Sequence, residues 1–237
     1  MSEAIGADKP PSQINKENIL EYYSIPETEL EQAFGVLKEY AEKLGLRVTL
    51  ADLSQLTKVA DPKALNLMHD TCQSDGLNVY LHNDLKKVGG NVGRVYDLMH
   101  VGLGHGTQWA ADENGGLKYF GDASWDIATK AYVGASEPDL RTVHEYEEEA
   151  GRLGLEHVRK ALDDKNNQEI TQHIIQMYSD FVRRDLDYIM NYYRSGEIVD
   201  FYSNFEPGLP LLDRITIPAV LKPKSRDNPS VPLIRLS

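Results

Sequence analysis

Apolar residues recur at helical spacing through most of the chain. Leu30, Phe34, Leu37, Ala41 and Leu44 mark one face of a helix that opens after Ser24 and Pro26, carries Glu27 and Glu29 in its first turn, and stops at Gly45. Thr49 predicts the cap of a short helix through Leu56, and Asp61 with Pro62 the start of another that carries Leu65, Met68 and Cys72. Leu77 to Val88 fits two periods. Leu77, Val79 and Leu81 alternate as in a strand, whereas Leu81, Leu85 and Val88 suit a helix, and helix is the reading adopted. Gly89-Gly90-Asn91 then breaks the pattern.

Further on, Trp125 to Tyr132 resumes helical character, and Pro138 opens a helix with Leu140, Val143, Ala150, Leu153 and Val158 on its apolar face. Its other face is charged; Glu147, Glu148 and Glu149 read as solvated, and Gly151 with Gly154 permits close helix contact. The longest helix runs from Gln168 to about Arg194, with a wide stripe that includes Ile174, Met177, Tyr178, Phe181, Val182, Leu186 and Met190. The pattern as a whole predicts an all-α protein: a single helical domain over 19–200, organised on a long central helix, with a disordered leader over 1–18. The third part, 201–237, is an extended arm, because six of the eleven prolines fall in the last 31 residues and prevent regular helix.

Charge changes the picture at that arm. From Arg214 to the end five basic residues face one acidic one, about +4, while the net charge of the chain is -12. The arm is therefore suited to dock on its own acidic body, a second subunit or an anionic surface. The overall acidity argues against nucleic acid as a partner, since phosphate binding needs clustered basic surface. The single cysteine, Cys72, excludes an internal disulfide framework and any cysteine-built zinc site. No apolar run approaches the roughly 20 residues of a membrane span, so a cytoplasmic or peripheral-membrane location is expected.

Candidate chemistry concentrates in Arg94 to His105, RVYDLMHVGLGH. Asp97 and His100 stand three apart, on one face of a helix, and a carboxylate with an imidazole addressing one point suits a divalent cation such as zinc. Gly102, Gly104 and Gly106 favour a helix stop there, followed by a long polar connection to Ser124 with a small hairpin at Leu117 to Phe120. His144 with Glu147 and Glu148 invites comparison with a carboxylate di-metal bundle, which wants two Glu-x-x-His helices; no second one exists.

The stretch RVYDLMHVGLGHGT resembles the signature of the Coq four family of ubiquinone (coenzyme Q) biosynthesis, which reads His-Asp-x-x-His, a Gly-containing turn, and a Glu about a dozen residues on. Asp97 and His100 fall on the second and third motif residues, while Tyr96 stands in place of the first His. Twelve positions from His100 is Asp112; Asp126, at the head of an apolar helical run, is the preferred counterpart of the Glu. The resemblance implies a divalent metal, zinc or magnesium, held by Asp97, His100 and Asp126 or Asp112, with Tyr96, Asp97 and His100 as catalytic residues. His105 either replaces the missing nitrogen or is a loop histidine in solvent. Further implied are a polyprenyl lipid or prenylated quinone precursor as ligand, its tail along Met177, Phe181 and Met190, a homodimer, and peripheral membrane contact. The expected function is binding of that lipid with its head near the metal, assisting ring decarboxylation. The alternative is a non-catalytic prenyl-lipid carrier or scaffold for biosynthetic enzymes.

Overall fold

The computed structural model describes residues 14–53, 72–74, 76–111, 134–163, 168–197 and 199–223. In chain order its elements are α1 (Ile19–Tyr22), α2 (Glu27–Lys43), β1 (Arg47–Ala51), β2 (Cys72–Ser74), β3 (Asn78–His82), α3 (Gly90–Asp97), a π-helical segment (Leu98–His105), α4 (Gly106–Ala111), α5 (Glu137–Leu162) and α6 (Gln168–Ser195). The second helix keeps its expected limits, with Pro26 at its N-cap and Gly45 at φ +94° just past its end.

The fold is not all-α. A three-stranded sheet of order β1-β3-β2 joins the helices, with β1 parallel and β2 antiparallel to the central β3. Thr49 pairs with Tyr80 in the sheet instead of capping a helix, Cys72 opens β2, and Asn78 to His82 takes the strand period. The reason lies in the partner. Val48, Val79 and Leu81 are almost fully buried on the face that meets the helices, and β-branched residues pack well on a half-buried pleated surface. A run of five residues cannot choose its period alone; two such runs satisfy each other's backbone. Asp61, Pro62, Leu65 and Met68 lie outside the described residues, as do Trp125 to Tyr132 and Leu117 to Phe120.

Nor does one long helix form the centre. α5 and α6, of 26 and 28 residues, lie side by side, and the Arg194 to Glu137 ion pair joins the end of one to the start of the other, so they run antiparallel. The π segment packs against α5 and, at Gly102, over Val79 of the sheet. Arg94 pins α3 to the sheet by donating to the carbonyls of His82 and Asn83, at 3.2 and 2.9 Å. No helix among the described residues is long and apolar enough to cross a membrane.

After α6 the described residues, to Pro223, are irregular and extended, as the prolines require, and they pack on the helical body. Phe205, Leu212 and Leu221 are buried. Its backbone is caught by α6: Asp180 accepts from the amide of Gly208 at 2.7 Å, Ser179 from that of Leu212 at 3.1 Å, and Gln176 donates to the carbonyl of Leu209 at 2.8 Å. Arg152 of α5 holds the carbonyls of Asp213 and Arg214.

Candidate metal centre

The glycines after His100 do not stop the helix. Residues 90–111 form one continuous rod that changes from α to π and back. Close approach explains the small residues: a Cβ on Gly104 would run into the carbonyl of Ala150, and one on Gly154 into the carbonyl of Met99 and the hydroxyl of Tyr178. Gly151 likewise leaves room for Val182 of α6. Backbone therefore meets backbone where the π segment crosses α5.

The π geometry decides which side chains converge. In an α-helix of 3.6 residues per turn, positions five apart point about 140° from each other. Hydrogen bonding from i to i+5 closes that angle. His100 and His105, five apart within this stretch, consequently turn to one side, their rings edge to face at 5.0 Å. Both Nε2 atoms lie 3.0 Å from the same oxygen, Oε2 of Glu147. These three residues offer donor atoms all within 4.8 Å of one another and could hold a metal ion. Zinc bonds of about 2.0–2.2 Å to nitrogen and oxygen place tetrahedral neighbours roughly 3.3–3.6 Å apart, so the two 3.0 Å separations need to open by only a few tenths of an ångström to admit an ion.

The rings are held from outside. His105 stacks with both Tyr146 and Trp109, with centroids at 4.8 and 5.9 Å, and the Trp109 indole donates to the Tyr146 hydroxyl. Its Nδ1 lies 2.8 Å from Oε1 of Gln108. His100 stacks on Tyr96, 8° from parallel, and Tyr96 donates to Asp185 at 2.9 Å. Nδ1 of His100 is buried without a hydrogen-bond partner among the described residues.

Electrostatics follow the geometry. Burial alone would raise the Glu147 carboxyl, but the charge of His105 and the hydrogen bonds from His100 and His105 hold it well below the usual carboxylate range. Burial alone would lower His105, and the Glu147 carboxylate overrides it, so the imidazole titrates above its ordinary value. The Tyr96 and Tyr178 hydroxyls are pushed up by burial and then by the Asp185 charge. Both stay protonated.

Of the residues singled out from the sequence, His100 is in the cluster and His105 joins it as the second nitrogen. Tyr96 flanks it. Asp97, though 4% exposed, is not among the converging donors; its charge bears on Cys72. Asp112 and Asp126 lie outside the described residues. Met177 and Phe181 are in the main core, Phe181 against Phe201 and Phe205 of the arm, and Met190 is in a smaller cluster with Leu140 and Val143.

Glu147 is the residue that sequence reading missed. It belongs not to the solvated face but to the buried side of α5, its side chain 16% exposed. A signal was present, because Glu147 stands four residues after Val143 and three before Ala150, inside the apolar stripe. Glu149 remains exposed, and Glu148 pairs at 3.6 Å with His144 on the outer side. Asp180 and Asp185 are likewise acids set within the stripe of α6.

Comparison with protein-family models, with curated proteins and with solved structures finds no match to this chain.

Proposed function

We propose that the protein binds one divalent metal through Nε2 of His100, Nε2 of His105 and a carboxylate oxygen of Glu147, and uses it on the oxygen-bearing head of a prenylated aromatic lipid. The observation that carries the metal reading is the convergence of two imidazoles and one carboxylate at 3.0 Å separations on a buried point. Two nitrogens favour zinc over magnesium, which prefers an all-oxygen shell. When bound, such an ion acts as a Lewis acid that polarises a ring oxygen or orients a carboxylate, as ring decarboxylation would require. Tyr96 stays protonated beside it, held by Asp185. The head-group assignment rests on the Coq four resemblance of RVYDLMHVGLGH.

Elemental analysis after dialysis without chelator tests the metal. About one zinc per chain is expected in the native protein and almost none in His105→Ala or Glu147→Gln; absence of metal from the native protein would sink the reading. One observation favours the carrier or scaffold alternative: Asp97, the signature carboxylate, stands outside the converging donors. Decarboxylation of a prenylated aromatic acid that disappears in His100→Ala marks the enzyme. Lipid binding that survives His100→Ala, without turnover in either protein, marks the carrier.

A further inference from the structure

Gln108 lies one turn beyond His105 at the start of α4 and is 7% exposed. Its amide has one orientation compatible with its neighbours. On one side stand two acceptors, the Tyr146 carbonyl, which can only accept, at 2.9 Å and a Glu149 side-chain oxygen at 2.7 Å. The NH2 group must face them. Oε1 is left toward Nδ1 of His105 at 2.8 Å, and an amide oxygen accepts. Nδ1 must therefore carry a proton.

Nε2, which faces His100, donates to the Glu147 carboxylate at 3.0 Å while no ion is bound; an ion that takes the place of that proton leaves a neutral ring with its remaining proton on Nδ1 and its lone pair on Nε2. Metal-bound histidines owe their orientation and basicity to such an outer partner. Among the described residues His100 has no counterpart, its Nδ1 being buried without a partner. The two imidazoles are thus unequal.

We propose that Gln108 is a positioning residue for the metal centre: braced by the Tyr146 carbonyl and Glu149, it holds the Nδ1 proton of His105, so that the proton an ion displaces is the one on Nε2, on the side of Glu147 and His100. The inference rests on the metal reading above and deepens it, making His105 the anchoring ligand and His100 the weaker arm. Glu149 acts only through Gln108.

The test compares the native protein with Gln108→Met, which keeps the side-chain length but removes donor and acceptor. The second variant is the exchange Gln108→Glu with Glu149→Gln, which keeps the net charge and an acceptor for Nδ1. Zinc affinity is measured by competition with a chelator, and the His105 tautomer by nitrogen NMR of the zinc-saturated protein. We expect zinc affinity to fall about 10–100-fold in Gln108→Met and to be largely recovered in the exchange. The Nδ1–H signature should be present in the native protein and the exchange, and lost in Gln108→Met. A merely structural glutamine would alter thermal stability without moving the tautomer. Native protein that binds no zinc removes the metal reading itself. Native protein that binds zinc, with equal affinity and an unchanged tautomer in Gln108→Met, overturns the role of Gln108 alone.

Discussion

Two carboxylates on neighbouring helices, Glu147 on α5 and Asp180 on α6, are both withdrawn from water and both satisfied, yet they do different work. Asp180 is 1% exposed and accepts from neutral donors: the Tyr23 hydroxyl at 2.6 Å, the Gly208 amide at 2.7 Å and the Gln176 amide at 3.0 Å. Burial outweighs those bonds and lifts its carboxyl above the ordinary value. Glu147 accepts from two titratable imidazoles, and its carboxyl is held down. Neutral donors cannot leave or exchange a proton, so they make a clamp, here between the arm, α6 and the segment after α1. Imidazoles can give up their protons to a metal, so the same kind of acid becomes part of a site.

The comparison can be broken most severely at the glycines, which bring the π segment onto α5 without touching Asp180. Gly154→Val would drive a side chain into the Met99 carbonyl and the Tyr178 hydroxyl. We expect a loss of about 3 kcal/mol or more, seen in denaturant melts, with loss of metal from whatever remains folded. A variant of native stability would show that the close crossing is not needed.

Asp180→Asn should come next. An amide keeps one oxygen for Tyr23 and Gly208 but turns an NH2 toward the NH2 of Gln176, at a cost of roughly 1–3 kcal/mol. Metal content should not change, and a variant that lost metal would mean that the two acids are one coupled unit. Tyr23→Phe removes a single donor and should cost about 1–2 kcal/mol, or roughly 2–8 °C in melting temperature for a chain of this size. Neutral behaviour there would leave Gly208 and Gln176 as the whole clamp.

The smallest effect, and the most discriminating, is in the pH dependence of the metal-free protein. A depressed carboxyl stabilises fully above its unfolded value, 4.5 for Glu147, and that stability is lost as pH falls through the folded value. A raised imidazole stabilises fully below its unfolded value, 6.5 for His105, and that is lost as pH rises through the folded value. Together they are fully stabilising between pH 4.5 and 6.5. Asp180, raised from 3.8, has the opposite sign to Glu147, since its contribution falls as pH climbs through its folded value. Stability against pH should therefore lose its decline above 6.5 in His105→Gln while keeping the Asp180 component; the same profile in both proteins would contradict the pairing of His105 with Glu147. In the metal-loaded protein the sign reverses on the alkaline side, because zinc must displace the His105 proton and binds better as pH rises.

How much of this was legible varies by residue, and the reason is contact order rather than chemistry. The second helix, from Pro26 to Gly45, and the longest one, from Gln168, could be read because their signals are local: caps, breakers and a 3.6-residue period. His100 and His105 could be named as candidates for the same local reason. Thr49 and the run from Asn78 to His82 were misread because a five-residue strand acquires its period from a partner dozens of residues away. Glu147 was hidden because a charge within an apolar stripe signals only that something opposite must satisfy it, without saying what.

The residues along the chain were enough to set the limits of α2 and α6, the start of α5, the absence of helix from the described part of the arm, and two of the three candidate donors, His100 and His105. Only the tertiary structure decided that the glycines prolong a helix instead of ending it, that a π-helical turn brings two histidines five apart to one side, and that their carboxylate comes from Glu147. Helical period and capping are set by neighbours along the chain, whereas the convergence of three donors depends on two backbones meeting at Gly104 and Gly154, which only the packed core enforces.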